Sequence, residues 1–265
     1  MPRLSCRRAL ELKTELHETR AEVITPSDET FAERVHCLEL SSKEAGAIVQ
    51  ATTTDEVSRV ISYATKHRIP VVVHGGAYAT GETSSTEGGI IISLARMAKV
   101  VVDPASRTLA AQGGARWEDI DRVAAASGLS IVEHAMHTSG DADIASREGY
   151  GWMDGRHGSV IDNLVSVKLV LADGRIVTAS DEESPDLFWA VREAGHVFGL
   201  ATELVFRAYP NKSHEGLGGQ AKGQEVDLHD GDEWLRLQKL KRQYDPDGVF
   251  GRWEDSAPTT SGDIL

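Results

Sequence analysis

Apolar residues fall on two different periods along this chain, and the change from one to the other marks its elements. Val57, Val60, Ile61 and Ala64 recur at helical spacing behind Thr54-Asp55-Glu56, a helix-starting sequence. Pro70 keeps Ile69 out of helical angles, so that helix is expected to stop near Arg68. Val71-Val72-Val73 follows as a β-branched run suited to a buried strand. Short apolar runs at 47–51, 89–94, 99–102 and 108–112 read as further strands. Trp117, Ile120, Val123 and Ala124 mark a second amphipathic helix, closed by Gly128. The runs 165–171 and 175–179 flank Ala172-Asp173-Gly174, where Asp-Gly supplies the positive φ of a tight hairpin turn. Ser184-Pro185-Asp186 opens a helix carrying Leu187, Phe188 and Val191, and 201–208 is a last strand. Leu10 to His17 suits a short helix, and Trp234, Leu237 and Leu240 suit one more near the end.

Three stretches break the pattern. Residues 131–158 have no clean period but hold glycines, histidines and acidic residues, and a loop that long in a folded domain is usually functional. Residues 211–232 are polar and glycine-rich, the composition of a linker, and 254–265 resemble a frayed tail. The expected organisation is therefore a lead-in over 1–40 with one docked helix and a turn at Ile24 to Asp28. A folded region follows over 41–210, then a linker over 211–232, a helix and turn over 233–253, and a tail.

Composition narrows the function classes. The chain has 265 residues, 40% of them hydrophobic, enough to build a core. Its net charge of −13, from 28 basic and 41 acidic residues, argues against nucleic acid and anionic membranes as partners. No apolar stretch is long enough to span a bilayer, and the N-terminal residues lack the apolar segment of a secretory signal, so a cytoplasmic location is expected. Cys6 and Cys37 form no C-x-x-C pair and cannot build a thiolate zinc site. Glu133, His134, His137, Asp141 and Asp143 have metal-ligand chemistry, but without a helix to align them no metal site is assigned.

Five segments line up in order with one family: IPVVVHGGAYATGETSSTEGGIIISLARM, VVDPASRTLAAQGGARWEDID, IDNLVSVKLVLADGRIVTAS, SPDLFWAVREAGHVFGLATELVFRAYP and YDPDGVF. The chain resembles the FAD-linked oxidases with a p-cresol-methylhydroxylase-type flavin domain, in their berberine-bridge-enzyme-like branch. The resemblance implies an α+β fold, a two-lobed PCMH/VAO-type FAD-binding domain clasping FAD between a small and a larger lobe. Family members insert a long substrate-binding domain between the strand matching 201–208 and the Tyr-Asp-Pro turn. Here only the short 211–232 linker and one helix stand there, so the substrate-binding domain is missing.

Residue by residue, the resemblance assigns a cofactor-binding set and shows where it has changed. A glycine turn after a buried strand presents backbone N–H groups to a pyrophosphate. The family has Arg-Gly-Gly-Gly-His-Ser at that turn, with its histidine bonded to the flavin. This chain has His74, Gly75, Gly76, Ala77 and Tyr78, so the cradle is kept and the histidyl link is not. A cysteinyl link needs a cysteine near 131–137, and SIVEHAMH has none. In the second glycine segment only Gly140, Gly149 and Gly151 are kept, and in the third Gly199 closes a run that has lost glycines. Asp141, Asp143 and Glu148 place carboxylates where the family has small neutral residues, and a like charge at about 4 Å costs roughly 1–4 kcal/mol at surface-like dielectric.

The resemblance thus implies an FAD-linked oxidoreductase acting on a small-molecule substrate, in secondary metabolism, with FAD held non-covalently or lost. The alternative is a flavin-independent cyclase, isomerase or dehydratase reusing the eroded cleft, or a non-catalytic remnant. His137 and Tyr78 are the expected catalytic residues: an imidazole titrating near neutral pH carries the proton, and the tyrosine orients the substrate. A face left bare by the missing domain is expected to be covered by a second copy in a homodimer.

Overall fold

A computed structural model describes residues 3–32, 45–75, 86–132, 153–211 and 231–250. Two sheets meet edge-on around one helix. The smaller sheet has the order β1-β2-β4-β3, where β1 is Glu22–Ile24, β2 Ala47–Gln50, β3 Val71–His74 and β4 Ile90–Ser93. Strands β2, β4 and β3 run parallel and β1 pairs antiparallel with β2. Their near-continuous Val and Ile content is what a sheet covered on both faces requires. The larger sheet has the order β5-β6-β10-β8-β9 and is antiparallel throughout. It comprises β5 (Val100–Asp103), β6 (Thr108–Gln112), β8 (Leu164–Val170), β9 (Ile176–Ser180) and β10 (Leu200–Pro210), and β7 (Leu129–Ile131) pairs the far end of β10.

Among the described residues five helices of ten residues or more clothe these sheets: α1 (Cys6–Glu15), α2 (Thr54–His67), α3 (Trp117–Ala126), α4 (Pro185–Ala194) and α5 (Gly231–Tyr244); a single helical turn lies at Asp154–His157. Helix α2 begins where Thr53 accepts from the Glu56 amide and the Glu56 carboxylate accepts from Thr53, a reciprocal cap. It ends at Arg68, whose φ of 53° turns the chain into β3. Its buried face, Val57, Val60, Ile61 and Ala64, packs with Val49, Ile90 and Ile92 of the smaller sheet. Val170, Ala172 and Leu200 of the larger sheet close the same cluster. Two hydroxyls on α2 then hold the β8–β9 turn: Ser58 donates to Gly174 O at 2.5 Å and Thr65 to Ala172 O at 2.7 Å. Gly174 has φ 83°, as the Asp-Gly turn requires, and a side chain there would strike Ser62.

A second cluster fills the larger lobe around Trp117, Phe188, Phe198 and Phe206, with Leu237 and Leu240 of α5 among its members. Among the described residues no helix is long and apolar enough to cross a membrane.

The elements read from periodicity are present; most ends move by a residue or two, while the first helix begins four residues before Leu10 and the last three before Trp234. Two further strands are present that periodicity does not show. β1 and β7 are three residues each, too short to show alternation, and exist through their partners: Ile24 against Ile48, and Ile131 against Ala208. The lead-in docks its helix through Leu12 and Leu16, fully buried in the core that α2 organises, and adds the edge strand β1.

Glu56 is the ionisable centre of this arrangement. Burial pushes its carboxyl up, but hydrogen bonds from Thr52, Arg20 and Thr53 outweigh that and hold it below the ordinary glutamate range. The stabilisation this provides is complete above the unfolded value and is lost as pH falls through the lower native one. Glu56→Gln is expected to cost about 1–3 kcal/mol at neutral pH. In urea denaturation the gap between variant and parent should close as pH falls below about 4.3, the unperturbed glutamate value.

Candidate functional site

Each parallel strand of the smaller sheet is three apolar residues followed by one polar residue. The terminal residues are Gln50, His74 and Ser93, and all three are buried. Register makes them one row: Gln50 is opposite Ser93 and Ser93 is opposite His74, so the three side chains share a face at the carboxyl edge. That edge is where open α/β sheets bind ligands. The imidazole Nδ1 of His74 lies 3.3 Å from the Gly75 carbonyl and donates to it, since a carbonyl only accepts. The row is tied by backbone as well. Leu94 N donates to His74 O at 2.9 Å, and Ala51 N to Ser93 O at 3.1 Å.

The larger sheet meets this edge at two glycines. Gly113 N donates to Thr202 O at 3.0 Å, and Gly114 N to Met97 O at 2.9 Å. A Cβ on Gly114 would collide with the Leu94 carbonyl just beyond β4, so only glycine lets the lobes close this far, whereas one on Gly113 would meet the Ala201 carbonyl within the larger sheet and the Leu94 side chain across the seam. A hydroxyl relay crosses the same seam: Thr54 at the start of α2 donates to Thr202 at 3.0 Å, and Thr202 donates to Lys168 O at 3.2 Å. Gly199 lies two residues before Ala201, with Val170 O at 3.0 Å from where a Cβ would stand.

Of the residues expected from sequence, the structure places His74 at the end of β3 with Gly75 directly after it, and Gly199 just before β10, against Val170 of the larger sheet. Gly76, Ala77 and Tyr78, and likewise His137, Gly140, Gly149 and Gly151, lie outside the described residues. Gln50, Ser93, Thr202, Gly113 and Gly114 do not stand out in the sequence. The repeated apolar-apolar-apolar-polar run is the available signal for the first two; Thr202, inside an apolar strand, has none. Among the described residues no group of three His, Cys, Asp or Glu side chains is placed to hold a metal.

Where the chain returns at Met153 from the long unperiodic stretch, a second polar cluster forms. His157 stacks on Tyr209 with ring centroids 3.7 Å apart. Tyr209 donates to Asn163 at 2.6 Å, and the buried Asn163 amide donates back to the carbonyls of His157 and Ser159. Burial, then the charge of Arg156, pushes the His157 imidazole below its ordinary value.

This geometry can be set beside known proteins. Residues 45–180 match the family described as FAD binding domain. The chain belongs to the FAD-binding domain family. Over 172 residues it is 38% identical to the FAD-linked oxidoreductase pgmH of Aspergillus terreus, covering 64% of this chain and 35% of that relative. The solved 6-hydroxy-D-nicotine oxidase of Arthrobacter nicotinovorans is 28% identical with a TM-score of 0.68, covering 73% of this chain and 43% of that one. A berberine bridge enzyme with bound (S)-reticuline, 22% identical with a TM-score of 0.68, shares the fold. The chain therefore spans less than half the length of these relatives, and the two-lobed flavin-domain architecture is the part they have in common.

FAD fits the described half of this family site. The strand ends carry neutral polar side chains, with no carboxylate in the row Gln50, Ser93, His74 to oppose a pyrophosphate. Gly75, directly after β3, has no side chain to stand between the strand end and a phosphate.

The seam leads to a stability test. Gly114→Ala pushes a methyl into a backbone carbonyl and is expected to cost about 1–3 kcal/mol or more in chemical denaturation. Gly128→Ala, where φ is 69° but nothing lies nearby, should cost only the left-handed penalty of about 1–2 kcal/mol.

Proposed function

We propose that this chain binds FAD without a covalent bond and acts as an FAD-linked oxidoreductase on a small organic molecule, with secondary metabolism as its setting. The observation that carries the reading is the buried neutral polar row at the carboxyl edge of the parallel sheet, opening at Gly75, in a chain whose residues 45–180 match the FAD-binding family. When bound, FAD supplies the hydride-accepting chemistry. His74, Gly75 and Gly199, with Gly76, Ala77, Gly140, Gly149 and Gly151, are the residues proposed to hold it. Non-covalent attachment is supported by Tyr78 in the place of the family's flavin-bonded histidine and by the lack of cysteine at 131–137. A small-molecule substrate is supported by the solved neighbour named for 6-hydroxy-D-nicotine.

Titrating the purified protein with FAD and following flavin fluorescence should give saturable binding near one per chain. Acid denaturation followed by filtration should then release all the flavin. Colour retained with the polypeptide would overturn the non-covalent claim, and no binding at any concentration would overturn the flavin reading.

A second reading is favoured by the carboxylates Asp141, Asp143 and Glu148 in a glycine segment of the family: a cyclase, isomerase or dehydratase working without flavin. In either reading His137 is proposed as proton carrier and Tyr78 as the orienting group. His137→Ala should lower turnover by roughly 10²–10⁴ while leaving the melting temperature unchanged. Full activity in that variant would make His137 a bystander.

A further inference from the structure

Lys241 and Asp245 form the most deeply buried ion pair among the described residues. They stand one turn apart where α5 runs out, with Nζ to Oδ2 at 2.6 Å and side chains 9% and 0% exposed. Taking two charges out of water is costly, and apolar residues of similar size often serve stability as well. What an apolar pair cannot supply is direction, and here every donor is aimed. The three N–H groups of the ammonium meet three acceptors: Asp245 Oδ2, Val197 O at 2.5 Å and Phe250 O at 3.0 Å. Asp245 in turn accepts from Val249 N at 2.8 Å and Phe250 N at 2.9 Å, closing the turn that follows the helix.

The three segments joined in this way belong to different parts of the molecule. Leu237 and Leu240, on the same helix as Lys241, are in the core of the larger lobe. Phe250 is in the core that α2 shares with the smaller sheet. Val197 closes the short helical turn Gly195–Val197, two residues before Gly199 and four before Ala201, whose carbonyl rests against Gly113. The ammonium therefore sits where both cores touch the turn that leads into the seam. Val197 and Phe198 are buried on the larger-lobe side of that turn, and Leu200 on the other.

We propose that Lys241 is a positioning residue that fixes the turn 195–199 at the seam, holding it by the Val197 carbonyl and anchoring it to the segment 245–250. It does not touch the cofactor; it sets where Gly199 and the first residues of β10 stand relative to Gly113 and the strand ends. The consequence for FAD affinity rests on the function proposed above, whereas the effect on the turn does not, and the two are read separately.

The test uses the paired substitution Lys241→Met with Asp245→Asn, which leaves no unpaired charge and lets the asparagine oxygen still accept from Val249 N, while the amide nitrogen in place of Oδ2 no longer accepts from Phe250 N. Amide hydrogen exchange is followed over residues 195–200 and, as a remote reference, 100–112 in β5 and β6, in the protein without added flavin. Exchange at 195–200 should accelerate by about tenfold or more with 100–112 unchanged. In the same variant FAD should bind about tenfold more weakly than in the parent, the equivalent of about 1.4 kcal/mol. Unaltered exchange at 195–200, or equal acceleration at both sites, overturns the proposal and leaves the pair a general staple. So does full FAD affinity in a variant whose turn has loosened. If the parent binds no FAD, the exchange result still decides the role of Lys241, and only the function proposed above fails. Should the paired variant not fold, Lys241→Arg, which keeps the charge but not the three-way geometry, is measured at the same two sites. Faster exchange confined to 195–200 then supports the proposal, and unaltered or uniform exchange overturns it.

Discussion

The burial of α2 from both sides is the constraint on which the rest depends. One helix face makes a core with the parallel sheet, and Val170, Ala172 and Leu200 of the antiparallel sheet complete that same core, so neither lobe is finished without the other. Ser58 and Thr65 add direction to this contact by bonding the hairpin turn, because hydrogen bonds restrict orientation in a way that apolar packing does not. Once α2 is seated, its first turn puts Thr54 against Thr202, and the carboxyl edge of the smaller sheet is brought to Gly113 and Gly114. The seam is thus a product of helix packing, built before any ligand arrives.

That order explains the division of labour at the seam. Glycines at 113 and 114 serve contact between protein backbones, whereas Gly75 directly follows the last residue of β3 and is proposed above to serve the cofactor. The two kinds look alike in a sequence and respond differently to substitution, one through folding and the other through binding. The polar row Gln50, Ser93, His74 lies at the same strand ends, three buried polar side chains on one edge and one face.

Most of the scaffold is legible in the sequence because it is written locally. The Thr53–Glu56 cap, the Pro70 stop, the Asp173-Gly174 turn and the triple apolar runs each act within a few residues. β1 and β7 are not, since a three-residue strand is defined by a partner far along the chain. The same limit applies at the site. His74, Gly75 and Gly199 stand out by motif, but the alignment of Gln50 with Ser93 and His74 arises only from register between strands. Lys241 and Asp245 look like an ordinary exposed i,i+4 pair, because nothing local tells that Leu237, Leu240 and Phe250 bury the helix around them.

Strand β10 carries one more implication. It starts at Leu200 beside the seam, runs down the middle of the larger sheet between β6 and β8, and ends at Pro210 against β7, where Asn211 N bonds Gly128 O. The chain comes back to the fold at α5, whose end is fastened near Val197. Departure and return are thus each anchored independently of what lies between them, and the entropy of closing a loop grows only slowly with its length. The interval after Asn211 is a splice point: sequence can enter or leave there with little change to the seam.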